Sequence, residues 1–331
     1  MPGNRDLDRL VPLLAGAYGP SGREGGVRSV LERALRGAGR RETDTLGNLH
    51  VHVPGRGPKL LIAAHMDAPG VIVTRVEATG LARLTQLGAA AAPADLVGAV
   101  VRFEDGGRAI IGCDRPKDGK EIEADLLFLH PGLAPAAAKK RLPVGSVGGL
   151  DGGAGRLGDY WCGDNLDDRA GCAAVAAAVL HRGRGLRYDL HVVFTAQSEL
   201  GARGAATGTF GIEPDVAVAV DVAYAGDGAG AVSTGAGPCI GILELGYVPH
   251  PQALDLARRA ARLARIKPQW LVREESGSDA RMIRASRSGV PTVVIAIPAR
   301  RTGSPRLLVH GNDLAQTAAL LQRILTTPWR A

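Results

Sequence analysis

The chain has 331 residues, 45% apolar and 22% charged, with 40 Lys and Arg against 33 Asp and Glu, a length and balance that build a sizeable core in one large domain or two ordinary ones. The basic surplus is scattered through short clusters, such as Lys139, Lys140, Arg141 and the tract from Arg258 to Lys267, and aromatics are only 4%; no nucleic-acid partner is expected of such a surface. Cys113, Cys162, Cys172 and Cys239 form no CxxC pair, the N-terminal MPGNRDLDRL has no apolar signal core, and no run is long enough to span a bilayer, so a cytoplasmic protein with reduced thiols and no membrane partner is expected.

Two amphipathic segments, 5–17 and 23–37, open the chain as helices. The run KLLIAAHMD (59–67) is then the first buried strand, by its length and its aliphatic content. Short alternating runs follow from 69 to 158 (VIVTRV, ARLTQL, AVVRFEDG, AIIGCD, DLLFLH), punctuated by Gly and Pro, and predict a small all-β domain inserted into the larger one. Its return, GGLDGGAGRLGD (148–159), has the composition of a linker or mobile loop. Beyond it, helices over Leu166–Val179, Pro251–Ile266 and Asp313–Ile324 alternate with strands at 190–199, 215–223 and 292–298. The expected fold is therefore α/β, a mostly parallel sheet with helices on both faces. Residues 1–68 and 159–331 make the main domain and residues 69–158 the insert.

Open parallel sheets bind ligands beyond the carboxyl ends of their strands, and here those ends carry charge. His65 and Asp67 end the first run, Glu199 ends the second, Asp221 lies near the end of the third, and Asp167 with Asp168 stands where the Gly-rich stretch meets a helix. Each has an ordinary alternative: an N-cap for Asp167 or Asp168, a hydrogen-bonded core position for His65, a pairing with Arg203 for Glu199. Asp221 has none nearby in sequence. Several buried carboxylates at one edge call for a cation, and imidazole with carboxylates suits zinc, manganese or cobalt.

Eight blocks in order carry a resemblance: SGREGGV (21–27), DTLGNL (44–49), AAHMDAPG (63–70), NLDDRAGC (165–172), FTAQSELGARGA (194–205), AVDVAYAGD (219–227), GSDA (277–280) and GVPTVVIAIPAR (289–300). In these the chain resembles the glutamyl-aminopeptidase and tetrahedral-aminopeptidase family of dinuclear metallopeptidases, almost end to end. The resemblance implies an α/β catalytic domain with an inserted β-barrel-like domain. It also implies homo-oligomers, dimers up to dodecameric shells, that release N-terminal residues from peptides. His65 and Asp221 would be terminal ligands of one metal, Asp167 would bridge two, and Glu199 would be a terminal ligand of the second. Asp67 would orient the histidine, and the Asp167–Asp168 peptide bond is a candidate for the cis form.

Three positions depart from that family. Ser198 stands where relatives carry the glutamate that serves as general base, and a hydroxyl is too weak a base near neutral pH; loss of such a group costs about 10²–10⁴-fold. Gly303, aligned on IPAR and the following SP, stands where a histidine would bind the second metal, and Ala68 replaces a common glutamate. Glu199 and Asp167 alone are too few ligands for a second ion, so one well-occupied metal at His65, Asp167 and Asp221 is expected. His310 is a conceivable replacement ligand and Glu274 or Glu275 a conceivable replacement base. Two functions stay open: a metal-dependent hydrolase with impaired ordinary aminopeptidase activity, and a non-catalytic relative that binds a peptide or small ligand or serves assembly.

Overall fold

The computed structural model describes residues 4–88, 91–115, 121–183, 185–226, 232–274, 277–302 and 305–330. Helices α1 (Asn4–Ala15) and α2 (Gly25–Ala34) precede strands β1 (Arg40–Thr43), β2 (Leu49–Val53) and β3 (Lys59–His65). Then come β4 (Gly70–Val76), β5 (Ala82–Leu87), α3 (Pro93–Leu96), β6 (Val100–Phe103), β7 (Arg108–Cys113), β8 (Leu127–His130), α4 (Pro135–Arg141) and β9 (Val147–Leu150). The remainder runs β10 (Ala154–Leu157), β11 (Tyr160–Gly163), α5 (Leu166–Leu180), β12 (Asp189–Thr195), α6 (Arg203–Phe210) and β13 (Val216–Tyr224). It continues with β14 (Cys239–Glu244), α7 (Pro251–Ala264), β15 (Gln269–Arg273), α8 (Ala280–Ile283), β16 (Thr292–Arg301), β17 (Leu307–His310) and α9 (Gly311–Ile324). Among these helices none is long and apolar enough to cross a membrane.

The four apolar runs form the parallel centre of one sheet, in the order β12-β3-β13-β16. Both flanks are antiparallel: β1 and β2 extend one side, β17, β11 and β10 the other, and β14 joins along β16 with β15 beside it. Alternation along β3 explains why the run is apolar throughout. Leu60, Ile62 and Ala64 pack with residues of α1, α5 and α9, while Leu61 and Ala63 pack with residues of α6 and α8 on the opposite face. The expected insert is a closed antiparallel barrel, β4-β5-β8-β7-β6-β9, filled by its own cluster including Val71, Val73, Leu84, Phe103 and Leu129.

Two sequence expectations shift. The Gly-rich stretch 148–159 holds β10, which pairs with β11 across a tight turn where Gly158 takes φ +57°. Gly148 and Gly149 belong to the barrel strand β9, Gly155 and Gly158 to this hairpin, and the large sheet resumes at Ala154, inside the span expected for the insert. The second strand stops at Thr195 rather than 199, because the backbone turns at Gln197, φ +53°. The freed amides find distant partners: Ala196 donates to the Asn48 side chain at 2.8 Å and Gln197 to Glu24 at 3.0 Å.

Arg169, on α5, is the largest fully buried side chain. Its guanidinium donates to the carbonyls of Leu14 (2.9 Å), Ala17 (2.6 Å), Gly19 (3.0 Å) and Met66 (3.3 Å). Burial lowers its pKa to about 10, so it stays charged at neutral pH. Gly19 has no side chain because a Cβ there would press on Val27 and sit 3.1 Å from this guanidinium. Arg169→Met would leave several buried carbonyls without donors; a loss of about 3 kcal/mol in unfolding free energy is expected by denaturant titration, and a loss below about 1 kcal/mol would contradict this role.

Candidate metal centre

β3 ends at His65, opposite Thr195 of β12, and Asp221 lies in β13 on the other side. The parallel register thus brings three strand ends to one edge. His65 Nε2 is 3.4 Å from Asp167 Oδ1 and 3.8 Å from Asp221 Oδ1. The other ring nitrogen, Nδ1, lies 3.0 Å from the Asp67 carbonyl oxygen and 3.5 Å from Asp67 Oδ1. An Nδ1–H donated to that carbonyl leaves Nε2 with its lone pair toward the carboxylates, the tautomer a metal needs.

The Asp67 carboxylate is fully buried and accepts from the Ser21 hydroxyl (2.7 Å) and the amides of Ser198 (2.9 Å) and Glu199 (3.0 Å). Burial opposes its ionisation, but His65 and these donors outweigh it and hold the carboxyl below the usual range. It fixes the Ser198–Glu199 turn as well as the histidine. Glu199, Ser198, His65, Asp167 and Asp221 all line one open cleft of about 940 Å³.

The Asp167–Asp168 peptide bond is cis. Tyr224 donates its hydroxyl to Asp167 Oδ2 at 2.7 Å, whereas Asp167 Oδ1 is buried with no hydrogen-bond partner. Asp168 turns inward, accepting from Gly171 N (3.1 Å) as a helix cap does and from His65 N (3.3 Å). A Cβ on Gly171 would collide with that carboxylate. Burial, outweighing the neighbouring His65, pushes the Asp168 pKa well up. Ligand atoms of His65, Asp168 and Asp221 lie within 4.8 Å of one another, but Asp168 faces away from the cleft that His65, Asp167 and Asp221 line, with both its oxygens on amides. The oxygen left for a cation belongs to Asp167.

Asp221 Oδ1 accepts from Val222 N at 2.8 Å, and Oδ2 accepts from Arg273 at 2.6 Å. Arg273 also reaches Glu244 (2.9 Å), which in turn accepts from the Ser278 hydroxyl (2.6 Å). Burial opposes ionisation of Asp221, yet Arg273 and His65 hold its carboxyl well below the usual range. Burial likewise favours a neutral His65 ring, and the carboxylates of Asp167, Asp221 and Asp67 overcome it, raising the pKa well above the ordinary value. The pocket prefers a cation, and His65, Asp167 and Asp221 have the donor types and the unpartnered oxygen that a divalent metal requires.

Ser198 points its hydroxyl at Asp279, donating to Oδ1 at 2.7 Å, while Thr195 donates to Oδ2 at 2.6 Å. Asp279 is buried, and that burial raises its pKa. Glu274 lines the cleft; Gly303 and Glu275 lie outside the described residues. His310 is not at the centre: it caps α9, accepting from Asn312 N at 3.2 Å, with its ring edge-on to Tyr160. Sequence reasoning missed Arg273, Tyr224, Asp279 and Arg301, whose guanidinium sits 3.8 Å over the Tyr224 ring. Only Tyr224 and Asp279 lay inside quoted motifs. Asp67→Asn would set an amide NH2 against incoming N–H donors; metal affinity by equilibrium dialysis should fall about 10–100-fold, and an unchanged affinity would remove Asp67 from its supporting role.

Comparison with known proteins agrees with this geometry. The profile of the M42 glutamyl aminopeptidase family matches residues 47–320. A lysyl aminopeptidase of Pyrococcus furiosus is 29% identical over 319 residues, covering 91% of either chain. An aminopeptidase from Desulfurococcus kamchatkensis superposes with a TM-score of 0.90 at 29% identity, over 98% of this chain and 95% of its own. A TET aminopeptidase from a marine-sediment Thaumarchaeota archaeon gives 0.90 at 27% identity, over 97% and 96%. With the barrel insert, the doubly covered sheet and the strand-end cluster in place, the chain belongs to the M42 glutamyl aminopeptidase family.

Proposed function

We propose that the chain is a metal-dependent aminopeptidase-type hydrolase that holds one divalent cation, zinc, cobalt or manganese, on His65, Asp167 and Asp221 and turns over ordinary aminopeptidase substrates poorly. The observation behind the second half is the Ser198 hydroxyl, which spends its hydrogen on Asp279 at 2.7 Å. Its lone pairs can still orient a water in the cleft. They cannot retain a proton near neutral pH, so the water is positioned without being activated. A bound cation would polarise the scissile carbonyl of a peptide.

The chain's own residues set that centre up. The Asp67 carbonyl holds the His65 tautomer, the Tyr224 hydroxyl fixes one Asp167 oxygen and leaves the other for the cation, and Arg273 steadies Asp221. Glu199 lines the same cleft and would be a ligand of a second, weaker ion. The protein works in the cytoplasm as a homo-oligomer, from dimer up to dodecamer, with the barrel as its assembly contact. Support for the homo-oligomer comes from the TET aminopeptidase likeness across 97% of the chain. The domain division follows the same likeness, with the barrel strands Gly70–Leu150 as the insert.

Lysyl-, glutamyl- and leucyl-p-nitroanilides with zinc, cobalt or manganese test the proposal. Ser198→Glu should exceed the unaltered chain by about 10²-fold or more in kcat/KM, and adding Gly303→His should raise bound metal toward two ions per chain. An unaltered chain as fast as Ser198→Glu, or one already holding two ions, would overturn the proposal. The same assay covers the second function, a non-catalytic ligand-binding relative, which the Ser198–Asp279 bond also favours. Turnover of the unaltered chain that Asp167→Ala abolishes would exclude it.

A further inference from the structure

At the opposite end of β12 from the catalytic cleft lies another group of metal-binding side chains. His52 of β2 and His191 of β12 are directly opposed across the antiparallel pair. Their rings stack, centroids 4.4 Å apart and planes 12° apart. Both turn Nε2 onto one carboxylate: His52 is 2.8 Å from Asp189 Oδ1, and His191 is 3.2 Å from Asp189 Oδ2. One ligand atom from each of the three lies within 4.8 Å of the others. Since Asp189 pairs with Lys59 and Thr195 with His65, six residues of strand, about 20 Å, separate this group from the cleft.

The two rings share a single carboxylate. If both rings were protonated, two cations 4.4 Å apart would share one carboxylate; if both are neutral, each spends its Nε2 hydrogen on that carboxylate. The neighbouring His50 turns instead to Asp44, 3.1 Å from its Nε2, a carboxylate it shares with Asn48 and no second histidine. Asp189 Oδ1 also accepts from Gly55 N at 3.2 Å, which fixes the carboxylate in place. Burial, with His52 alongside, lowers the pKa of His191 despite Asp189.

We propose that His52, His191 and Asp189 form a second divalent transition-metal site, taking zinc or a similar ion such as cobalt, nickel or copper, with solvent completing the coordination. Two imidazoles and one carboxylate suit these ions over magnesium or calcium, which favour all-oxygen shells. Binding exchanges the two Nε2–H groups for the Nδ1–H tautomers. All three residues are partly exposed, with side-chain exposures of 36% for His52, 22% for Asp189 and 19% for His191, so the ion enters directly from solvent. The ion clips the antiparallel flank strand β2 to the parallel centre of the sheet, and its effect falls on stability rather than on peptide cleavage.

The test removes the catalytic cluster first, so that it stands apart from the hydrolase assignment. In His65→Ala/Asp167→Ala protein, equilibrium dialysis against zinc should retain one ion per chain, and added zinc should raise the melting temperature. Adding His191→Gln should abolish both effects, and the copper(II) form should lose the imidazole nitrogen couplings from its electron paramagnetic resonance spectrum. His52→Gln, checked by circular dichroism, provides the same comparison if His191→Gln folds badly. No retained ion in the His65→Ala/Asp167→Ala protein, or retention unaffected by His191→Gln and His52→Gln, would overturn the proposal.

Discussion

Negative charge that cannot reach water has to be answered by something positive, and the carboxyl edge of this sheet is organised around that demand. Asp67, Asp168 and Asp221 are buried around His65, and Asp167 stands at its Nε2. Unscreened, such a group would cost several kcal/mol apiece. The chain meets the demand locally and differently for each: hydroxyl and amide donors for Asp67, a guanidinium for Asp221, a phenol for Asp167, and for Asp168 a burial that favours the neutral carboxyl. One oxygen of Asp167 is left over. A centre built in this way has its geometry fixed before any metal arrives.

Burial also decided how much the sequence could disclose. The four central strands were legible because coverage on both faces forces continuous aliphatic runs. The edge strand β15 was not, since Gln269–Arg273 has a single buried residue, and β10, with no buried residue, was hidden inside a glycine-rich stretch. The second strand was drawn four residues too long because FTAQSE keeps a strand-like composition while Asn48, Glu24 and Asp67 bend it from elsewhere in the chain. His65, Asp167 and Asp221 stood out as polar residues in or beside apolar runs. Arg273, Tyr224 and Asp279 could not, because their partners Asp221, Asp167 and Ser198 lie 52, 57 and 81 residues away.

The Ser198–Asp279 contact shows how such a site can change without the fold giving way. Asp279 is buried and receives two hydroxyl hydrogens, from Thr195 and Ser198, so serine at 198 completes a satisfied polar cluster. A glutamate at that position would instead set a second carboxylate beside a buried one, an arrangement that raises proton affinity. Under the proposed function, the residue that leaves the site without its base would also settle the packing, a trade between activity and stability.

Arg169 gives the amino-terminal residues a standing they would not otherwise have. One guanidinium holds the carbonyls at the end of α1, the loop at Ala17 and Gly19, and the Met66 carbonyl between His65 and Asp67. The first helix is mechanically tied to the segment that carries His65 and Asp67. Proteolytic trimming near Leu14, or a fusion partner that pulls on α1, would be felt as a change of pitch in the histidine ring some fifty residues downstream.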